Sequence, residues 1–393
     1  MAGKLKIEVL RSWGQAAQLQ TEWNNLHNGS QCGHPFTTYE WFDCWYPAFC
    51  EPENVAIIVV RDESGLRSIL PGMLLRQRIG GIPLNIFSYA GNGHSPRCGI
   101  ISKRDDSEAI RAAIKAIWNS FRNEIILAIF MGVDKDSSTY NVLSTNNLPH
   151  LTLHIEHSFK SPAFDLSKGW ESYLASRSKN FRHRVRQGRN QAKRMGGLKY
   201  DIISSEAISE NIIERLKLLE AKTWQHKSGS GLFSTLENER FYYKLLRSFG
   251  KEREITLCFQ QIGDKDSAYE LSTSYANTAF FLKYGYDSEF GNCHPGLLIQ
   301  SYLSEYVSSL GFNEVDLLGE MSEEKERWQT HLREHRNYWI INKKAVRGEI
   351  LFAELRVHNV LKRFTRMLKH DKTLHERSGN MGAPSTGENK ISR

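Results

Sequence analysis

The chain has 393 residues, 40% hydrophobic and 24% charged, with a net charge of +8. Nine Trp, 15 Tyr and 19 Phe exclude a disordered chain, and the length allows two domains that each bury a core. Residues 172–200 carry nine Lys or Arg and no acid, residues 356–393 net +6 and the remainder nets −7, so the charge is local and argues against a general nucleic-acid coat, DNA included.

The opening MAGKLKIEVL lacks the apolar core of a signal peptide, and no stretch reaches the roughly 18 apolar residues of a membrane span, so a cytoplasmic protein is expected. Apolar periodicity and turn residues predict a strand over 7–10, helices over 15–26 and 39–49, and strands over 55–61, 67–76 and 84–89. A helix over 107–121, a strand over 125–130, a helix after Asp136 and a strand over 151–155 complete the first half. The six cysteines form no C-x-x-C pair and read as reduced, mostly buried thiols.

The second half repeats that order, beginning with a basic helix. At helical pitch Lys179, Arg182, Arg186, Arg189 and Lys193 form one stripe, beside an apolar face of Phe181, Val185, Gly188 and Ala192. Guanidinium forks suit phosphate and carboxylate, so an anionic ligand is expected there. A strand over 198–203, helices over 208–225 and 236–249, and strands over 255–261, 268–275 and 278–286 follow. Next come a helix over 295–310, a strand over 314–318, a short helix through Trp328 and a strand over 338–341. Two topologically similar α/β (α+β) halves are the simplest account, 1–161 and 162–345, with the boundary at Ser161-Pro162. Residues 346–370 read as a basic amphipathic helix that packs on its own domain or touches an anionic membrane from the cytoplasmic side, and 371–393 as a disordered tail.

Among the motifs, His331-Leu332-Arg333-Glu334-His335 spells an inverted zinc-peptidase pattern, but Arg327, Arg333 and Arg336 crowd it with positive charge, and no metal is expected. No dinucleotide, Walker or G-x-S-x-G loop is present. The segment from Tyr284 to Leu297 joins a strand to a helix N-terminus whose free N–H groups, at Gly296, point into a cleft, with Pro295 suited to the first turn. The next strand ends in Asp316-Leu317-Leu318-Gly319-Glu320 and brings polar groups to the same sheet edge, with Lys325 and Trp328 beyond it.

Taken together, SKNFRHRVRQGRNQAKRMGGLKY, Leu219-Glu220 with Trp224, Tyr284 to Gly296, and DLLGEMSEEKERW resemble the GNAT-type acyltransferases of the CelD group of cellulose biosynthesis, cousins of the Fem aminoacyltransferases. PFTTYEWFDCWY, at Pro35 to Tyr46, resembles that family's N-terminal block, so the likeness spans about residues 5–345. It implies tandem GNAT-like domains, each a mixed twisted sheet flanked by helices, with the better-formed cleft in the second. The residues that match the family pattern are Arg182, Arg186, Tyr286, Pro295, Gly296, Asp316, Gly319, Lys325 and Trp328. The chain departs from the wider pattern in having no recognisable Q/R-x-x-G-x-G/A coenzyme A loop before Pro295.

The expected activity is acyl transfer from an acyl thioester such as acetyl-CoA to an amine or hydroxyl of a sugar, lipid or peptide intermediate. Glu270 or Asp316 is the candidate base and Tyr284 or Tyr286 the candidate acid. Lys179, Arg182, Arg186, Arg189 and Lys325 are candidates for holding phosphate, and Pro295, Gly296 and Leu297 for the donor. Two alternatives keep the fold: an aminoacyl-tRNA donor, or a non-catalytic scaffold for an anionic polysaccharide or membrane assembly.

Overall fold

The computed structural model describes residues 4–30, 33–79, 81–121, 124–145, 148, 151–248, 254–343 and 346–353. The first half runs β1 (Lys6–Leu10), α1 (Trp13–Ala17), α2 (Gln20–Asn28), α3 (Tyr39–Phe49), β2 (Ile57–Asp62), β3 (Gly65–Leu70) and β4 (Gly72–Ile79). It continues with β5 (Ile82–Tyr89), β6 (Ile101–Ser102), α4 (Ser107–Ser120), β7 (Leu127–Asp134), α5 (Ser138–Ser144) and β8 (Leu151–Asp165). The second runs α6 (Trp170–Ser176), α7 (Lys179–Arg194), β9 (Leu198–Ser204), α8 (Glu210–Glu220), α9 (Trp224–Lys227), α10 (Leu236–Ser248) and β10 (Ile255–Ile262). Then come β11 (Lys265–Tyr275), β12 (Thr278–Tyr286), α11 (Pro295–Ser309), β13 (Glu314–Asp316), α12 (Glu323–Glu326) and β14 (His331–Asn342). After α6 and α7, which open the second half, each half runs as a strand, helices, antiparallel strands, a helix, a strand, a helix and a last strand.

Local chemistry explains the ends. Thr38 and Ser178 cap α3 and α7 by accepting from the N–H groups of Trp41 and Phe181, at 3.2 Å each. The predicted single strand over 67–76 is two strands, because Pro71 has no N–H to continue a ladder; β3 joins a small sheet ordered β1-β2-β3-β6 and β4 joins the large one. Gly72 opens β4 because the Phe87 ring fills the place of a side chain: a Cβ there would lie 2.0 Å from Cζ.

The large sheet has ten strands in the order β4-β5-β7-β14-β8-β13-β12-β11-β10-β9. The last strand of each half lies against the other half, β14 pairing with β7 and β8 with β13, so the two halves share one sheet. The expected boundary at Ser161-Pro162 falls inside β8, which is still paired with β14 and reaches Asp165. Apolar residues from both halves also form one buried cluster, in which Trp41 of α3 meets Phe241 of α10 edge-on at 5.4 Å. Residues 346–353 are helical, and Leu351 is buried with Leu84, Ile86 and Leu127 of the first half; the rest of the expected basic helix and the tail, 354–393, lie outside the described residues.

Among the described residues no helix is long and apolar enough to cross a membrane. Cys44, Cys98, Cys258 and Cys293 are free and buried and Cys50 is free and half-buried, while Cys32 lies outside the described residues.

Candidate active site

In each half a parallel strand pair flanks the helix that joins it, β5 with β7 and β12 with β13. The second pair stays together only from Thr278↔Glu314 to Phe280↔Asp316. Beyond that β12 runs on to Tyr286 against β11 alone, and the other chain turns away through Leu318 and Gly319, at φ of 54° and 57°. A left-handed backbone is costly for leucine and persists only where its surroundings hold it. A bulge adds force to the divergence: Leu271 pairs with Lys283 and Ser272 with Phe281, so Leu282 has no register partner.

The gap opens a cavity of about 670 Å³, within the range of small-molecule sites. Glu270 of β11 stands directly across from Tyr284, so the two side chains share a face of the sheet, as does Tyr286. All three line the cavity. Glu270 is 1% exposed; its Oε2 accepts from the Gln300 amide at 3.2 Å, and its Oε1 has no hydrogen-bond partner among the described residues. Burial pushes its carboxyl up to about 8, against the opposing pull of the Gln300 hydrogen bond and the Lys325 charge. The Tyr284 hydroxyl donates to Glu324 Oε2 at 2.8 Å, and burial, then Glu324, raises its pKa.

Pro295, Gly296 and Leu297 start α11 at the cavity wall. The helix enters from His294, another residue in left-handed conformation (φ 53°), and no side chain caps it, so its first N–H groups face the cleft. Gly296 admits the Tyr284 ring, whose Cε2 would be 3.2 Å from an added Cβ. Where a coenzyme A loop is expected, Ser288–Cys293 form a 3₁₀ turn.

Lys325 also lines the cavity, its Nζ donating to Leu318 O at 2.6 Å. Burial lowers its pKa, opposed by Asp316, Glu270 and Glu324.

The structure corrects two expectations. Asp316 is fully buried away from the cavity: it pairs with Arg97 of the first half, lies 3.3 Å from Arg333 Nε and accepts from Leu318 N–H. Its carboxylate fastens the halves and has no room to act as a base. The basic stripe is the second correction. Phe181 and Val185 are buried, with Phe181 packed edge-on against Trp328 at 4.9 Å, and at about 100° per residue Arg184 lies on one flank of that face and Arg182, Arg186 and Arg189 on the other. Arg184 and Arg327, after burial itself, lower the pKa of His294 at the cavity wall, whereas Arg189 reaches Glu305 at 3.8 Å. Lys179, Arg182 and Arg186 are exposed and line no part of the cavity. The H-x-x-E-H run, where no metal was expected, is a strand, on which residues four apart are about 13 Å apart rather than one helical turn. His331 instead pairs with Glu314 at 3.1 Å, and His335 is buried on Ser161 Oγ at 2.8 Å.

Residues not anticipated as functional complete the site. Arg327, His294, Gln300 and Lys283 line the cavity, and beside it the buried Glu220 meets the half-buried His226, Oε2 to Nδ1 at 2.7 Å. An acid between Tyr269 and Leu271 in mid-strand marks Glu270 in the sequence, but nothing local marks Lys283.

Residues 179–329 match the family model described as acetyltransferase (GNAT) domain. No curated protein sequence matches the chain. Among solved structures, FemX superposes with a TM-score of 0.53 at 12% identity, covering 83% of this chain and 96% of FemX. A conserved protein of unknown function from Bacteroides thetaiotaomicron gives 0.55 at 11%, covering 83% of this chain and 97% of that one. The C-terminal DUF2156 domain of an Agrobacterium fabrum protein assigned as a lysylphosphatidylglycerol synthetase gives 0.52 at 10%, covering 86% and 95%. At these identities the likeness is one of fold alone.

Proposed function

We propose that the protein is a GNAT-type acyltransferase that moves an acyl group from a thioester donor to an amine or hydroxyl, with Glu270 as its base. The observation that carries this is a fully buried carboxyl with one unpartnered oxygen, facing a cavity at the point where two parallel strands part beside an uncapped helix N-terminus. The ionised Glu270 takes the proton of the attacking nucleophile, directly or through water, and its raised pKa makes it a stronger base. Leu282, with no register partner on β11, offers a backbone N–H to polarise the acyl carbonyl as negative charge develops on its oxygen. Tyr286, whose hydroxyl has no partner among the described residues, returns a proton to the leaving thiolate; Tyr284 is engaged with Glu324. The α11 N–H groups at Gly296 and Leu297, with Arg327 and Arg184 nearby, suit the phosphates of an acyl-CoA. The CelD resemblance supports an acceptor from polysaccharide or cell-envelope synthesis, on the cytoplasmic side.

A second reading, an aminoacyl-tRNA donor, is favoured by the 3₁₀ turn in place of a coenzyme A loop and by the exposed cations of α7, which suit a polyanion lying across the surface. Calorimetric titration with acetyl-CoA at two salt concentrations separates the two. Binding that Arg327→Glu weakens and Arg186→Glu leaves alone supports the thioester donor. No binding to folded protein sinks it; tight RNA binding with a steep salt dependence, weakened by Arg186→Glu, then establishes the second.

A further inference from the structure

A second cavity, of about 180 Å³, lies between the halves. Trp41, Gly93 and His94 of the first half line it together with Tyr242, Lys283 and Lys325 of the second. Lys283 and Lys325, with Leu282 and Leu317, also line the larger cleft, so the two cavities meet at the diverging strands. They approach this junction from different faces of the sheet. Lys283 pairs with Leu271 and Tyr284 with Glu270, so consecutive residues of β12 send Tyr284 toward α11 and Lys283 toward Tyr242 and Tyr269. The volume suits one small polar group, since whole small-molecule sites need about 300 Å³ or more.

The electrostatics of this wall are unbalanced. Among the described residues neither lysine has a carboxylate within ion-pair distance: Lys283 Nζ reaches Ser230 O at 3.4 Å, and Lys325 Nζ reaches Leu318 O at 2.6 Å and Glu320 O at 3.5 Å. Burial and then repulsion from Lys325 lower the pKa of Lys283. The acids whose fields reach them have partners of their own: Glu220 holds His226, Asp316 holds Arg97, Glu324 accepts from Tyr284, and Glu270 keeps its proton up to about pH 8. His94, stacked on Phe49 and bonded through Nδ1 to the Tyr242 hydroxyl at 2.9 Å, adds a hydrogen-bonding wall; burial, then Lys283, lowers its pKa to about 4, so it carries no charge at neutral pH. Two half-buried cations without a counter-ion are unfavourable alone and become favourable against an anion.

We propose that the second cavity is an acceptor subsite for an anionic group, a carboxylate or a phosphate, neutralised by Lys283 and Lys325 so that the nucleophile attached to it reaches Glu270. The acceptor is then an acid, and the first half of the chain helps select it. This rests on the acyl-transfer reading of the larger cleft, but the anion site is measurable without it.

Calorimetry of the full chain with inorganic phosphate and with succinate, in the absence and presence of acetyl-CoA, tests the proposal. One saturable site per chain is expected, weakened at least about tenfold by Lys283→Met, and the preferred probe identifies phosphate or carboxylate. Gly93→Leu is the second variant: Gly93 lines this cavity and not the larger cleft, and an added Cβ there meets no atom within 4 Å, so the larger side chain is accommodated at the rim and is expected to obstruct the probe while acetyl-CoA affinity stays at the wild-type value. If Lys283→Met does not fold, Gly93→Leu decides. No saturable site, binding that either folded variant leaves intact, or displacement of the probe by acetyl-CoA overturns the proposal; failure of acetyl-CoA to bind while the probe still does overturns only the donor.

Discussion

Replacing Glu270 by glutamine tests base catalysis and burial together. The carboxyl rises from its ordinary value of 4.5 to about 8 because it is enclosed by protein. At 1.36 kcal/mol per pH unit, ionising it costs about 5 kcal/mol more in the fold than in the unfolded chain. Between about pH 4.5 and 8 the native state holds a proton that the unfolded state has released, so this residue makes stability fall as pH rises, with the loss complete above about 8. Glutamine keeps an amide against Gln300 but does not titrate. Urea midpoints measured from pH 5 to 9 are expected to show the wild type losing stability relative to Glu270→Gln by about one proton's slope, and the two curves running parallel above pH 8. In acyl-transfer assays the wild-type rate rises with pH and levels above about 8, and the variant loses about 10²–10⁴-fold with that rise abolished. Parallel stability curves throughout would refute the burial argument, and an unchanged rate profile would refute the assignment of the base.

Arg97→Met leaves Asp316 buried without its main partner; a loss of about 3–5 kcal/mol is expected in chemical denaturation, and a loss below about 1 kcal/mol would show that the bridge does not fasten the halves. Gly188→Ala in mid-helix ordinarily stabilises by about 1 kcal/mol, but here the added Cβ would lie 2.4 Å from the Cys293 carbonyl oxygen, so a lowered melting temperature is expected and a raised one would contradict the packing of α7. Residues 162–393 expressed alone lack most of β8, the strand between β13 and β14, and should give no cooperative unfolding transition; a cooperatively folded fragment would contradict the strand exchange.

Much of the fold was legible because local chemistry sets it. α3 at Tyr39–Phe49 and β12 at Thr278–Tyr286 match the sequence reading at both ends, the first fixed by its Thr38 cap and the second entered from a turn with Ala276 and Asn277 in left-handed conformation. β8 and β14 were read too short for a physical reason. Glu156, His157 and Ser158 are exposed, and His331 and Arg333 serve ion pairs with Glu314, so the apolar pattern of β8 breaks after Ile155 and that of β14 begins only at Tyr338, although both strands hold the middle of the sheet.

The site divides along the same line. Strand alternation alone puts Tyr284 and Tyr286 on one face, whereas setting Glu270 across from Tyr284 takes the register of β11 against β12. Arg184 could not be told from Arg186, since both are charged, exposed and two positions apart; only the seat of α7 against the entry to α11 brings Arg184 within electrostatic reach of His294. Asp316 looked like a base because its strand ends at the cleft, yet its partner Arg97 stands 219 positions earlier, beyond any local pattern. Lys283 is the extreme case. Its place between two cavities needs the bulge at Leu282, the divergence of β12 from β13 and the His94 loop of the other half at once, so the residue that best reports the acceptor's charge is the one that a reading of β12 alone passes over.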